Sequence, residues 1–324
     1  MAALTDQIAL TRDRASARKT PGGLGDSLFR AASYGAAFLV LLVLAGILAS
    51  IAYGAWPAFQ QFGFGFITST VWNIGQEQYG GLVAIVGTLA SAVLALLIGV
   101  PLSLGIAIYL TQLCPGWARK PVSMTIELLA SVPSIIYGMW GLFVFAPLFA
   151  RFVQVPVSNL VEGMPIVGTL FYARVPSGVG ILTAGIILAI MIVPFVASIT
   201  RDMLDQIPTV LRESAYGIGC TTWEVVRHVL VPQASVSIIG AIMLGLGRAL
   251  GETMAVTFVI GNANRLSGSV FDPGSTIASR IANEFNEADG LQLNSLMALG
   301  CILFVITFFV LIIARLLTRR AKVA

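Results

Sequence analysis

"DMLDQIPTVLRESAYGIGCTTWEVVRHVLVP", residues 202–232, lies between two long apolar runs, and its reading decides the fold. The stretch is too regularly patterned for a linker. Leu211, Ala215 and Ile218 share one helical face; beyond Gly217 and Gly219, Trp223, Val226, Val229 and Leu230 share another. Thr221 or Thr222 is placed to cap the second helix, and Pro232 follows its end. The expectation is a helix, a glycine break and a second helix, after which the chain returns to an apolar run. Such an amphipathic unit presents a face suited to a groove on another protein.

The runs on either side set the class. The chain has 324 residues, 57% hydrophobic and only 10% charged, with a mean hydropathy of +0.91. Soluble domains carry about 25% charged residues, so an all-α integral membrane protein is expected. Crossing the hydrocarbon core takes about 20 apolar residues, and six segments qualify: roughly 31–53, 81–110, 127–149, 178–200, 236–260 and 293–316. The second is about 30 residues, or about 45 Å of helix, which predicts tilt or a kink near Pro101. The first is preceded by about 30 residues and reads as an anchor rather than a signal peptide.

Basic residues orient the chain. Arg12, Arg14, Arg18, Lys19 and Arg30 precede the first span; Arg119 and Lys120 follow the second; Arg201, Arg212 and Arg227 follow the fourth; Arg315, Arg319, Arg320 and Lys322 end the chain. The alternate loops hold Arg151, Arg174, Arg265 and Arg280. Both termini are therefore expected in the cytoplasm. The organisation reads as a disordered cytoplasmic tail (1–30), a first span and external loop (31–80), a core (81–316) carrying the cytoplasmic loop 201–235, and a basic cytoplasmic tail (317–324). In the external loops, Ile277, Ile281 and Phe285 are spaced for a short helix on the membrane or a partner, or for one packed turn of a solvated loop. Trp56, Trp72 and Tyr79 suit an interfacial belt, and Glu127 an interfacial charge.

Several chemistries are excluded. A formal charge of +4 gives no nucleic-acid footprint; three distant cysteines without a CxxC, and one histidine, support neither a disulfide framework nor a metal site. No G-x4-G-K-[ST] is present, so ATP is not hydrolysed here. Gly247 and Gly251 read instead as a small-residue face for close helix packing.

Arg248 and Glu252 stand one turn apart in "GLGRALGETMAV", residues 245–256, near the middle of the fifth span. A central charge there costs about 2.5–3.5 kcal/mol, so such residues face a bundle interior. Two readings stand: an internal ion pair that fixes packing, or an anion pathway. In the second, arginine supplies planar donors, while glutamate weakens the hold and accepts the hydroxyl that hydrogen phosphate has and sulfate lacks. Ser131, Ser134 and Tyr137 fall at three-residue steps around Pro133. They line the pathway, or they bond back to carbonyls that the proline frees.

Glu213-Ser214-Ala215, Gly219 and Val229-Leu230-Val231-Pro232 resemble the EAA loop (E-A-A-x3-G-x9-I-x-L-P) of type I ABC importer permeases, departing from it at Ser214, Val229 and Val231. "GLVAIVGTL" at 81–89, "LLASVPSIIYGMWGLFVF" at 128–145 and "GRALGETMAVTFVIGN" at 247–262 are similar to phosphate-specific permeases, and within them to the PstC family. The resemblance covers about residues 80–316. It implies the type I ABC importer permease fold, alternating access, and ATPase coupling through Glu213, Ala215, Gly219, Trp223 and Pro232. It implies as partners a PstA-like permease, two copies of a PstB-like ATPase that holds ATP-Mg, and a periplasmic phosphate-binding protein. No cofactor is expected in this chain. The rivals are a self-sufficient secondary transporter or channel, a non-transporting scaffold, and a permease for molybdate, sulfate or phosphonate. The EAA-like loop and the lack of clear inverted repeats speak against a self-sufficient carrier.

Overall fold

The computed structural model describes residues 24–164 and 167–321. Most of the expected amino-terminal tail, with Arg12, Arg14, Arg18 and Lys19, lies outside the described residues, as does Lys322. Among the described residues six helices are long and apolar enough to cross a membrane: Gly25–Phe62, Leu82–Leu113, Ser134–Val161, Ile181–Asp205, Thr222–Gly251 and Gly290–Leu316. The last runs on to Ala321, so the start of the expected basic tail is helical.

The chain divides into two units, Met1–Tyr53 and Gly54–Ala324. In the first, the described residues are helix, with side chains exposed along most of its length and Leu48 and Ile51 half-buried. In the second, spans two and four form the centre. Their contact is made by small residues: a Cβ on Gly185 would lie 2.7 Å from Leu94 Cβ, and one on Gly99 would lie 3.0 Å from Ile192. Apolar transfer drives nothing in lipid, so this close approach, which maximises dispersion contact, is what holds the helices together. Ala92, Ala95, Ala184, Leu188, Ala249 and Val256 complete that core. Two serines of span two are satisfied locally, whereas the buried Thr200 hydroxyl of span four has no partner among the described residues. Ser91 and Ser103 donate to Gly87 O at 2.8 Å and Gly99 O at 2.6 Å, as a dry environment demands.

Two expected spans are misplaced. The third is not 127–149. Residues Gly116–Ala130 form a separate helix that ends at Ser131, and the span begins at Ser134 and runs to Val161. Pro133 offers no N–H and forces its predecessor out of the helical region, so helix stops and restarts there. Arg151, expected in a loop, therefore sits in the span's second half, its guanidinium 5.6 Å over the Phe152 ring. The fifth span is not 236–260. Helix is continuous from Thr222 to Gly251, and Pro232 does not interrupt it. A wider π turn at Val226–Leu230 precedes the proline and makes room for its ring. The second helix of the cytoplasmic loop and the fifth span are thus one rod.

The end opposite to the 201–235 loop is also ordered. Trp72–Asn73 and Gln78–Tyr79 pair as a short antiparallel ribbon. The helix Ile277–Glu284, opened by a Thr276–Ser279 capping box, buries Ile277, Ala278, Ser279 and Arg280 against this chain's own bundle. It is an ordered helix rather than a solvated loop, and Phe285 at its end stays exposed. Trp72 and Tyr79 take part in this packing, their rings 5.0 Å apart.

Candidate functional site

Two helix breaks lie at the ends of spans, one just before span three and one just after span five. The first lies at Ser131–Pro133. The second follows Gly251, where Glu252 turns extended (φ −70, ψ 125) before a short helix, Met254–Val259. Span three passes that short helix at Gly138, where a Cβ would lie 2.8 Å from Ala255 Cα. Any larger residue would force the crossing apart.

The break separates Arg248 from Glu252. With helix ending at Gly251, the expected one-turn geometry does not exist, and no ion pair joins the two among the described residues. Glu252 Oε1 instead accepts from Ala255 N at 3.3 Å, capping the short helix. Arg248 is exposed, as are Gly247 and Gly251 beside it. A Cβ on either glycine would meet nothing within 4 Å, so these two do not pack helices within this chain. Gly245 does, against Val196. Arg248 thus stands on an open face, without a hydrogen bond or ion pair among the described residues.

The span-three hydroxyls divide. Ser131 donates to Leu128 O at 2.7 Å, and Tyr137 reaches across the break to Leu129 O at 2.8 Å. Both bond back to carbonyls in the last turn of helix 116–130, as in the second of the two sequence readings, although those carbonyls also accept Ser131 N at 3.1 Å and Val132 N at 3.3 Å. The Ser134 hydroxyl has no hydrogen-bond partner among the described residues and is half-buried.

The second candidate region is the loop helix Thr209–Gly217 with the turn after it. Gly219 (φ +92) takes the left-handed conformation that a β-carbon disfavours. It closes a Schellman motif, with Gly219 N bonded to Tyr216 O and Cys220 N to Ala215 O at 3.0 and 3.1 Å. A Thr221–Glu224 capping box then starts the rod. Ala215, Val225 and Val226 pack inward on Leu204, Ile207 and Ala107. The expected shared faces are split. Leu211 and Ile218 point outward while Ala215 is buried; Trp223 points outward while Val226 and Leu230 are buried. What remains outside is an apolar patch of Val210, Tyr216, Ile218 (82% exposed) and Trp223 (66% exposed), with Glu213 and Pro232 also exposed. Sequence reading missed Val210, Tyr216 and Arg212, whose Nη2 donates to Leu204 O and ties the loop helix to span four.

Residues 99–323 match the family described as "Binding-protein-dependent transport system inner membrane component". The chain is 53% identical over 297 residues to the phosphate transport system permease protein PstC of Haemophilus influenzae, covering 92% of this chain and 94% of that one. It is 52% identical over 321 residues to that of Mesorhizobium japonicum, covering 99% and 98%. The chain belongs to the PstC family of phosphate transport system permeases. It is a multi-pass inner-membrane transport subunit of an ABC system, not an enzyme. Among solved structures, it superposes on a chain of a bacterial alginate ABC transporter in complex with alginate pentasaccharide-bound periplasmic protein, with a TM-score of 0.60 at 18% identity, covering 92% of this chain and 97% of that one. A second alginate importer structure gives 0.56 at 19% identity. These likenesses establish the type I importer permease fold.

Proposed function

We propose that this chain forms half of a phosphate pathway, that Arg248 is its anion-binding group, and that the Val210–Trp223 patch receives an ATPase subunit. Membership of the PstC family supports phosphate as the cargo. The single observation behind the site is Arg248 itself, a cation in the last turn of the fifth span's helix rather than at its middle, exposed in this chain and without a counter-charge among the described residues. An unpaired guanidinium costs several kcal/mol in hydrocarbon, so this face meets a partner permease and water, not lipid. The partner is of the PstA type, and two PstB-like ATPases and a periplasmic phosphate-binding protein complete the assembly.

Phosphate accepts from the planar guanidinium, and the free Ser134 hydroxyl adds a donor at the span-three break. Glu252 keeps one oxygen beyond its bond to Ala255 N. That oxygen takes the hydroxyl of hydrogen phosphate and rejects sulfate, which has none. The loop 201–235 and both termini lie in the cytoplasm, as the basic residues indicate. ATP-Mg is bound by the ATPase subunits. A push on Trp223 then travels along one helix to Arg248, 25 residues on, or about 38 Å at the helical rise.

The test is phosphate uptake by proteoliposomes containing both permeases, the ATPase and the loaded binding protein. Arg248→Gln should abolish uptake while assembly and ATP hydrolysis persist. Uptake at the wild-type rate would remove Arg248 from the pathway. Uptake by the wild-type complex without the ATPase would favour a secondary carrier.

A further inference from the structure

Helix Gly116–Ala130 belongs to none of the six spans and buries no residue of its own. It is flanked by extended residues Cys114 and Pro115 at one end and by the Ser131–Pro133 break at the other. It lies along span four, and its charges meet that span's end in crossed order. Arg119 pairs with Asp205, and Glu127 with Arg201 at 2.9 Å. Each helix carries its cation before its anion, and the first residue of each pairs with the last of the other. Sliding the helices past one another would set like charges together, so the pairs specify one register. Exposed ion pairs add little stability; fixing register is the better-attested use of such pairs. Arg201 is the least exposed of the four (12%) and is held again by Asp202 at 2.6 Å.

Both ends of this helix pair lead to the regions already described. Just beyond Arg201 and Asp205, Leu204 and Ile207 pack on Ala215 and Val225 beneath the docking patch, and Arg212 donates to Leu204 O. Just beyond Glu127, Leu128 O accepts from Ser131 at the helix end, and Leu129 O accepts from Tyr137 across the break.

We propose that Arg119, Glu127, Arg201 and Asp205 are positioning residues for transport: their crossed ion pairs carry movement of the ATPase-docking loop to helix 116–130, and through it set the span-three break and the Ser134–Trp140 helix that packs on Met254–Val259. The inference rests on the permease reading above. It adds a second linkage, parallel to the Thr222–Gly251 rod, that moves the other side of the pathway.

The experiment uses the four-component proteoliposomes and reads phosphate moved per ATP hydrolysed. Arg119→Glu and Asp205→Arg, each alone, should lower that ratio roughly tenfold while ATPase activity and the KM for loaded binding protein stay near wild type, as expected when a group is misplaced rather than removed. The double exchange, which restores opposite charges, should recover at least about half of the wild-type ratio. Single variants that transport like wild type, or a double variant as poor as the singles though assembled, would overturn the proposal. If charge reversal blocks assembly, Glu127→Gln decides: it removes one pair without repulsion and should lower the ratio about threefold, and a wild-type ratio would overturn the linkage. Failure of the wild-type complex to move phosphate under ATP would instead sink the permease reading, independently of these variants.

Discussion

Arg248 and Arg280 are both arginines in an apolar chain, and the protein treats them in opposite ways. Arg280 is 4% exposed. Its guanidinium lies 4.6 Å over the Trp72 ring, bonds to Asn264 and sits 3.5 Å from Glu284. Glu284 in turn accepts from Trp72 Nε1 at 2.9 Å and Gln292 Nε2 at 3.1 Å. Burial pushes the Arg280 pKa down and Glu284 opposes that shift. Arg248 has none of this support. A cation fully enclosed by its own chain joins parts of that chain; a cation left open waits for something the chain does not contain.

The same substitution in both places breaks or sharpens that contrast. Arg248→Gln should lower phosphate uptake roughly 100-fold or more, the scale of losing a key donor to an anion in a water-poor site, and leave the thermal unfolding of the purified chain unchanged. Arg280→Gln should do the reverse. It leaves Glu284 and the Trp72 face without their cation and should cost about 3 kcal/mol of stability, seen as a lower unfolding temperature in detergent. Transport per assembled complex should stay close to wild type. If Arg248→Gln unfolds the chain and Arg280→Gln stops transport, the two roles have been assigned the wrong way round.

The sequence was legible where local chemistry decides. Gly219 and Thr221 are placed as their types demand, since a left-handed turn and a capping box each involve only a few neighbouring residues. The number of spans followed from apolar length. Their boundaries did not, because proline has no single meaning. Pro101 and Pro194 lie inside unbroken helices, Pro232 follows a π turn, and Pro133 ends one helix and starts another. Which outcome occurs depends on what packs nearby. The Arg248–Glu252 pairing was misread for a related reason: spacing assumes helix, while Gly251 and the competing bond from Ala255 N to Glu252 end it. The outward face of the loop was read with Ala215 and Val226 on it because amphipathic spacing marks apolar positions without saying which are covered.

A smaller effect is expected on the docking patch. Trp223→Ala removes the largest side chain there, and exposed tryptophans at interface centres are common anchors. The ATPase subunit should bind about 30-fold more weakly, a loss of about 2 kcal/mol, measured by titration of the detergent-solubilised permease pair. Phosphate moved per ATP by the complexes that still form should be unchanged. Unaltered affinity would shift the docking contact elsewhere on the loop.

The finest distinction is between two glycines two residues apart. A Cβ on Gly245 would lie 2.7 Å from Val196 Cγ2, inside this chain, whereas one on Gly247 meets nothing. Gly245→Ala should therefore destabilise the isolated chain by about 1 kcal/mol or more through overpacking. Gly247→Ala should stabilise it by about 0.5–1 kcal/mol, since alanine loses less conformational freedom in a helix. Any loss of uptake from Gly247→Ala would then come from outside the chain, because its added methyl can touch only what faces Arg248: the partner permease or the passing anion. A variant that is more stable yet transports less would show the open face to be occupied in the working complex. One that is more stable and transports normally would leave room around Arg248 for at least a methyl group, and confine the close contacts of the pathway to the guanidinium.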